Sequence, residues 1–148
     1  MGGHFYHYIV DYQPDVDAAL QQLREREFRA GRYYPVLRYP EQFLAGPTPP
    51  SPGAGHRSIR DALKASAETG TRSILDLERV SARPEYGAVT PLADDVLLRH
   101  YGTTRPTREM VEDFAFAEDM EERGQGVYVV LYRDGRPDAI LFAGYSFD

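Results

Sequence analysis

Histidine, tyrosine and acidic side chains near the beginning of the chain are the residue types from which a catalytic or ligand-binding site could be built. The stretch HFYHYIVDY, residues 4–12, contains two of the four histidines and three tyrosines. Imidazole can act as a general acid or base and as a metal ligand. The aromatic and β-branched composition predicts a β-strand, in which successive side chains point to opposite faces. His4 then lies beside Tyr6 and Tyr8, and His7 lies on the other face, so the two imidazoles cannot ligate one metal together.

A pair of carboxylates in the middle of the chain is a second candidate for chemistry. TRSILDLERV, residues 71–80, alternates apolar and acidic residues, which predicts a half-buried strand with Asp76 and Glu78 on one face. Two carboxylates on one face can bind Mg²⁺ or share acid–base work. The spacing shows no third carboxylate or lysine beside them, and an acidic pair on the solvent face of an edge strand is common.

Arginine and tyrosine residues around the end of the first predicted helix form a third candidate. Arg32 and Tyr33 could bind a phosphate or carboxylate, or stack on a base. The structural alternative is that the arginines pair with neighbouring glutamates while the tyrosines pack over the core edge. Neither a metal site nor a cofactor motif is predicted. The hypothetical ligand pocket comprises His4, Tyr6, Tyr8, Arg32, Tyr33, Asp76 and Glu78.

A segment rich in proline and glycine occupies residues 46–55, with four prolines and three glycines. Such a composition sustains neither a helix nor an inner strand, so it predicts a long surface loop within one domain. In the ligand-pocket hypothesis this loop is a lid. It is not a phosphate-binding loop, because prolines interrupt it and the lysine of a Walker motif is missing.

An acidic run, EMVEDFAFAEDMEE, covers residues 109–122 with seven acidic residues and no basic one. Its apolar residues, Met110, Val111, Phe114, Ala117 and Met120, predict the inward stripe of a helix that continues to Arg123. Within residues 109–122 no arginine or lysine separates these carboxylates, so neighbouring ones repel one another. A basic partner would relieve that repulsion. The predicted partner-binding residues are Glu109, Glu112, Asp113, Glu118, Asp119, Glu121 and Glu122.

Composition limits the compartment and the partner. The 148 residues suffice for one domain, residues 1–148, with its own core. The single lysine against sixteen arginines and the absence of asparagine indicate the coding bias of a GC-rich, bacterial genome. No apolar run long enough for a membrane helix and no leader are evident, so we expect a cytoplasmic protein. A net charge of −6 without a basic cluster disfavours nucleic-acid binding.

The order of predicted elements indicates an α+β domain with a mixed, mostly antiparallel sheet of four or five strands and about four helices. The first strand is expected to be central or near-central, and GVYVVLY and DAILFAGYSF form a C-terminal β-hairpin around Asp134 and Gly135. In each hairpin strand the odd-numbered and the even-numbered residues are both mostly apolar, which predicts that both faces of the sheet are buried. Helices are predicted over residues 15–30, 59–69, 91–101 and the acidic run.

These features favour a non-enzymatic function. The first hypothesis is a small acidic domain that binds another protein, such as an immunity or inhibitor protein that neutralises a basic toxin or nuclease. The alternative is a small enzyme or ligand-binding domain that uses the pocket described above. A third possibility is a homo-oligomer with the hydrophobic hairpin as its interface.

Overall fold

The computed structural model of the protein describes residues 3–35, 55–120 and 122–146, so that the predicted proline-rich loop, except Gly55, lies outside the described residues. The described residues form one mixed sheet of five strands, three α-helices and two short 3₁₀ segments. The α+β class is confirmed, with three α-helices where about four were predicted. The elements are β1 (Phe5–Asp11), α1 (Val16–Arg29), α2 (Ile59–Ala65), a 3₁₀ segment (Ile74–Asp76), β2 (Arg79–Val80), β3 (Ala88–Pro91), α3 (Asp94–Tyr101), a second 3₁₀ segment (Ala115–Asp119), β4 (Gly126–Arg133) and β5 (Arg136–Tyr145).

The strand order across the sheet is β1-β5-β4-β3-β2. The two long pairings, β1 with β5 and β5 with β4, are antiparallel, and the two short pairings that join β4, β3 and β2 are parallel. The C-terminal hairpin is confirmed. Asp134 and Gly135 both adopt positive φ angles, 51° and 76°, as the two-residue turn of a right-twisted hairpin requires.

Both faces of the sheet are covered, as the two apolar parities of the hairpin predict. On one face Ile140 and Phe142 pack against α1 through Leu20 and Leu23. On the other face lies a second core, which involves α3 and the acidic run of residues 109–122, called the acidic segment below. Its buried residues are Leu92, Leu97, Val111, Phe116, Val129, Leu131, Ala139, Leu141 and Ala143.

Helix α1 follows the sequence rules closely. Asp15 caps it by accepting a hydrogen bond from the backbone N–H of Ala18, and Gly31 ends it with a φ of 69°. Phe28 lies off the main stripe and packs with Tyr33 and Leu75 in a separate cluster beneath α2. The last turn of α1 is therefore packed on a second side as well.

Two glycines face each other in the middle of the sheet and are covered by large side chains. Gly126 of β4 pairs with Gly144 of β5, and Tyr6 of β1 is the next residue in that row. A methyl group on Gly144 would lie 2.8–2.9 Å from the ring and hydroxyl of Tyr6, and one on Gly126 would lie 2.3 Å from Leu77. The missing Cβ atoms make room for these two side chains.

Strand β1 lies at the edge of the sheet, and the prediction of a central or near-central position was wrong. Its bulky residues on both faces are explained by the other elements of the fold that pack against each face of the strand. Tyr6 belongs to the core beneath α1, whereas Phe5 and His7 stack on Phe114 from the acidic segment. A strand can therefore be covered on both faces and still have only one neighbouring strand.

The predicted strand over residues 71–80 was mostly wrong. Residues 74–76 form a 3₁₀ turn, and only Arg79 and Val80 pair with another strand. Side chains bond to the local backbone instead: Ser73 accepts from the N–H of Leu75, and Asp76 accepts from that of Thr71. Such bonds compete with strand pairing. Asp76 is buried while Glu78 is exposed, so the two do not share one solvent-facing strand surface.

Two helix boundaries in the structure differ from the predicted ones. Helix α3 begins at Asp94, because Thr90 and Pro91 belong to β3 and the N–H of Leu92 still bonds to Tyr128 of β4. Helix α2 ends at Ala65, and looser turns complete the segment up to Gly70.

The acidic run does not form the predicted helix. Turns occupy residues 108–113 and a 3₁₀ segment covers Ala115–Asp119, with Phe114 between them at a φ of 50°. A left-handed residue interrupts an α-helix, and repulsion among the closely spaced carboxylates of the run disfavours a helix here. The buried side chains change accordingly, because Phe116 is fully buried while Met110, predicted to face inward, is 44% exposed.

Candidate functional site

An apolar cavity of about 330 Å³ opens between the end of β3, the start of α3 and the end of the acidic segment. We call it the α3 cavity. Pro91, Leu92, Val96, Met120 and Val127 supply most of its apolar wall. A cavity of this size accommodates one side chain or a small molecule.

Carboxylates surround the α3 cavity. Asp119 and Glu122 lie in its wall, and the exposed Asp94 and Asp95 follow directly on the lining residue Ala93. The two aspartates occupy the first turn of α3, where the helix dipole stabilises negative charge. The cavity therefore combines an apolar wall with an acidic rim.

Among the predicted partner-binding residues that the structure describes, Asp119 binds basic side chains of the same chain. It accepts hydrogen bonds from Arg99 and from Nε2 of His100, the latter at 2.5 Å. Hydrogen bonds from His100 and Arg99 hold the pKa of Asp119 below its usual range. Spacing within the acidic run could not reveal these cations, because they lie 19 and 20 residues away on α3.

The other predicted partner-binding residues that the structure describes are exposed. They are Glu109, Glu112, Asp113, Glu118 and Glu122. Glu121 lies outside the described residues. Asp113 accepts from the N–H of Ala115 and so helps to shape the turn. The turns distribute these carboxylates along the segment, from Glu109 beside the hairpin residues Asp134 and Asp138 to Glu122 in the wall of the α3 cavity.

The residues of the predicted ligand pocket do not form a single cavity in the described part of the chain. His4 is exposed, whereas Tyr6 is buried and its hydroxyl has no hydrogen-bond partner among the described residues. Tyr8 accepts a hydrogen bond from the N–H of Ile74 at 3.3 Å, and burial raises its pKa to about 12. The alternation that separates His4 from His7 is as the sequence predicts.

Arg32 and Tyr33 bind other parts of the fold. Arg32 forms an ion pair of 2.5 Å with the buried Glu27, which also binds Arg26. Burial alone would raise the pKa of Glu27, but the hydrogen bonds from Arg32 and Arg26 outweigh it and lower the pKa. The Tyr33 hydroxyl lies 2.7 Å from Nδ1 of His56. This arrangement corresponds to the structural alternative for the arginine and tyrosine cluster.

Asp76 and Glu78 line a second cavity of about 170 Å³, beneath α2 and on the other side of the sheet from the α3 cavity. Oδ1 of Asp76 accepts hydrogen bonds from the N–H and the hydroxyl of Thr71, both at 2.8 Å. Oδ2 is buried without a partner in the described part of the chain. Burial raises the pKa of Asp76, although the Thr71 donors oppose that rise.

We expect the charge of Asp76 to cost stability as the pH rises. A carboxyl whose pKa is raised by folding stabilises the native state below its unfolded pKa, and that contribution is lost as the pH passes the folded pKa. Asp76→Asn is neutral and keeps an acceptor for Thr71. Between about pH 4 and pH 8 its free energy of unfolding should therefore rise relative to that of the unmodified chain, as measured by urea unfolding.

Glu85→Gln is the control of opposite sign. The hydrogen bond from Arg79 lowers the pKa of the exposed Glu85, so this variant should lose stability relative to the unmodified chain as the pH rises through the acid range to about pH 5, and should run parallel to it above that pH. Parallel pH curves for Asp76→Asn and the unmodified chain would show that folding does not raise the pKa of Asp76.

Comparison with known proteins adds no relative: no protein-family model, curated protein or solved structure matches this chain. In the described residues no group of three histidine, aspartate or glutamate side chains is placed to hold a metal ion. No helix there is long and apolar enough to cross a membrane.

Proposed function

We propose that this protein is a binding domain that recognises a basic surface of another protein through the α3 cavity and the acidic segment beside it. The observation that carries the proposal is the apolar cavity of about 330 Å³ with Asp119 and Glu122 in its wall. An apolar cavity without charged groups would bind an apolar ligand. Exposed carboxylates without an apolar wall beside them would be hydrated by water and would bind no specific ligand. Together they match a lysine or arginine side chain, whose stem is apolar and whose head is charged.

Charge supports the same kind of partner. The chain has a net charge of −6, and its acidic segment carries exposed carboxylates that extend away from the cavity. Such a field accelerates the encounter with a basic protein, and a desolvated arginine or lysine at the centre of an interface contributes most of the affinity. Asp119 is already bonded to Arg99 and His100, so Glu122 and the first turn of α3 would supply the free charge.

Within this class, the protein best fits an immunity or inhibitor protein that neutralises a basic toxin or nuclease. A surface that binds nucleic acid is rich in arginine and lysine, and an acidic inhibitor competes for it with carboxylates in place of phosphates. The function needs no catalytic group of its own. The small size and the acidic segment agree with that role.

A small enzyme or ligand-binding domain is the second candidate, and the cavity at Asp76 favours it. Oδ1 accepts hydrogen bonds from Thr71, whereas the buried Oδ2 has no partner among the described residues and is the oxygen that a ligand would satisfy. A single oxygen suits the point charge of an ammonium group better than the two-pronged guanidinium. The pH experiment on Asp76→Asn bears on this candidate, since carboxylates that cost stability are typical of ligand sites.

The leading proposal is tested by capturing a partner on the immobilised full chain and comparing two matched double variants. Glu112→Lys/Glu118→Lys reverses two exposed charges of the acidic segment, and Asp61→Lys/Glu68→Lys reverses two exposed charges on the side of α2. Each reversal adds two units, so both variants change the net charge from −6 to −2. We expect the first to slow association about tenfold or more and the second to change it little.

A third variant separates shape from charge. Ala93→Trp places a large ring at the cavity without altering any charge and should abolish retention of the partner. The purified partner should be basic, and its association rate should fall steeply with ionic strength. Equal association for both double variants, or an acidic partner, would overturn the proposal.

A further inference from the structure

The outer edge of β1 is open in the described part of the chain. The even-numbered residues bond to β5: His4 accepts from the N–H of Ser146, and the N–H of Tyr12 donates to Asp138. In an antiparallel strand the alternate residues point their N–H and C=O groups the other way. Phe5, His7, Ile9 and Asp11 therefore direct these groups outward, where no described residue bonds to them.

This edge lacks the usual features that prevent pairing. Its seven residue pairs with β5 run without a bulge, and β1 contains no proline or lysine. Natural proteins use those features to keep edge strands apart. Two large hydrophobic side chains are also exposed here, Ile9 at 38% and, just beyond the strand, Tyr12 at 36%. The outer edge of β1 therefore has backbone groups without partners among the described residues, and its exposed surface is partly apolar.

We propose that β1 is a self-association surface at which two copies of this chain pair their β1 strands antiparallel about a two-fold axis at Ile9. In this register Ile9 faces Ile9 of the second copy, and His7 faces Asp11 of the second copy on each side of the axis. The odd-numbered residues form hydrogen-bonded pairs, about six bonds for these three pairs. The two five-stranded sheets become one continuous sheet.

Charge complementarity selects the second copy as the occupant and selects this register. His7 and Asp11 are both exposed and lie on the same face of β1. A two-fold axis at His7 would put two histidines opposite each other, and an axis midway between His7 and Ile9 would put Asp11 opposite Phe5. With the axis at Ile9, each imidazole meets a carboxylate, and the exposed isoleucines bury each other. His7 already stacks on Phe114 at 4.2 Å between ring centroids, which fixes its orientation.

This edge also differs from the hairpin interface that the sequence alone would favour. Both hairpin strands have a neighbouring strand on each side, β5 between β1 and β4 and β4 between β5 and β3. Their faces are covered by the two cores. Self-association at β1 uses residues other than those that line the α3 cavity, so the two proposals fail or succeed by different experiments.

Sedimentation equilibrium of the full chain combined with a charge exchange tests the proposal. We expect a monomer–dimer equilibrium at micromolar to submillimolar concentration. Asp11→Lys should raise the dimer dissociation constant about tenfold or more, and His7→Asp/Asp11→Lys should restore it, because the exchanged charges again face each other. A chain that stays monomeric throughout, or a double variant weaker than Asp11→Lys, would overturn the proposal.

Cross-linking tests the register separately. The chain has no cysteine, so Ile9→Cys introduces a single thiol. At a two-fold axis the two Cα atoms lie about 5.5 Å apart, within reach of a disulfide. His4→Cys is the control, because its copies would lie roughly 30 Å apart. Mild oxidation should cross-link the first variant within the dimer and leave the second uncross-linked; cross-linking of both, or of His4→Cys alone, would contradict this register.

Discussion

Replacing Phe116 with alanine is expected to lower the free energy of unfolding by about 3–5 kcal/mol, the range for a fully buried phenylalanine. Phe116 is 0% exposed and belongs to the core between the sheet and α3. Its ring also packs edge-on against Phe114, which in turn covers Phe5 and His7 of β1. The cavity left by alanine would therefore loosen the acidic segment as well as the core. Urea unfolding followed by far-ultraviolet circular dichroism gives the measurement.

Met110→Ala is the matched control, because it removes a side chain of similar hydrophobic character from the same segment. Met110 is 44% exposed, so we expect a change of about 0.5 kcal/mol or less. In the helix predicted from the apolar spacing, Met110 faces inward and Phe116 does not belong to the inward stripe. A larger loss for Met110→Ala than for Phe116→Ala would therefore favour that helix over the turns.

Gly144→Ala is expected to destabilise the protein by about 1–3 kcal/mol through overpacking. The added methyl group would lie 2.8–2.9 Å from three atoms of Tyr6, whose side chain is enclosed between the sheet and α1. Because the three nearest atoms belong to one residue, shortening Tyr6 should remove most of the penalty. In a double-mutant cycle with Tyr6→Val, Gly144→Ala should cost clearly less than it does alone.

Gly55→Ala provides the comparison for this cycle. Its new methyl group would lie 3.6 Å from the Tyr33 hydroxyl, an ordinary contact distance, so we expect a change within about 0.5 kcal/mol. Strictly additive effects of Gly144→Ala and Tyr6→Val would show that the row across β1, β5 and β4 does not depend on this fit.

The parts of the fold that local sequence rules predicted are those in which local and tertiary preferences agree. Asp15 and Gly31 delimit α1, and Asp134 with Gly135 sets the turn of the hairpin. Each of these signals acts through neighbouring residues. The two apolar parities of β4 and β5 likewise predicted cover on both faces, because period-two alternation follows directly from strand geometry.

The predictions failed where long-range contacts decided the conformation. The apolar spacing of the acidic run matches a helix, but Phe114 turns toward β1, more than a hundred residues earlier in the chain, and Phe116 enters the core. The alternation around Asp76 matches a strand, but Thr71 and Ser73 bond to the local backbone and to Asp76. The cations that bind Asp119 come from α3 for the same reason: no spacing within one segment can reveal a partner in another.

The position of β5 between β1 and β4 has a consequence for the order of folding. β5 follows every other described element in the chain, and the bonds that join β1 to it span 142 residues between His4 and Ser146. During synthesis β1 therefore has no neighbour among the described strands until β5 has left the ribosome, on the order of ten seconds after β1 at ordinary rates of elongation. Loop closure of this length also slows folding in isolation. The first of the described strands is thus the last to find its neighbour, and the nascent chain carries the aromatic residues of β1 unpaired while the elements up to β5 are made.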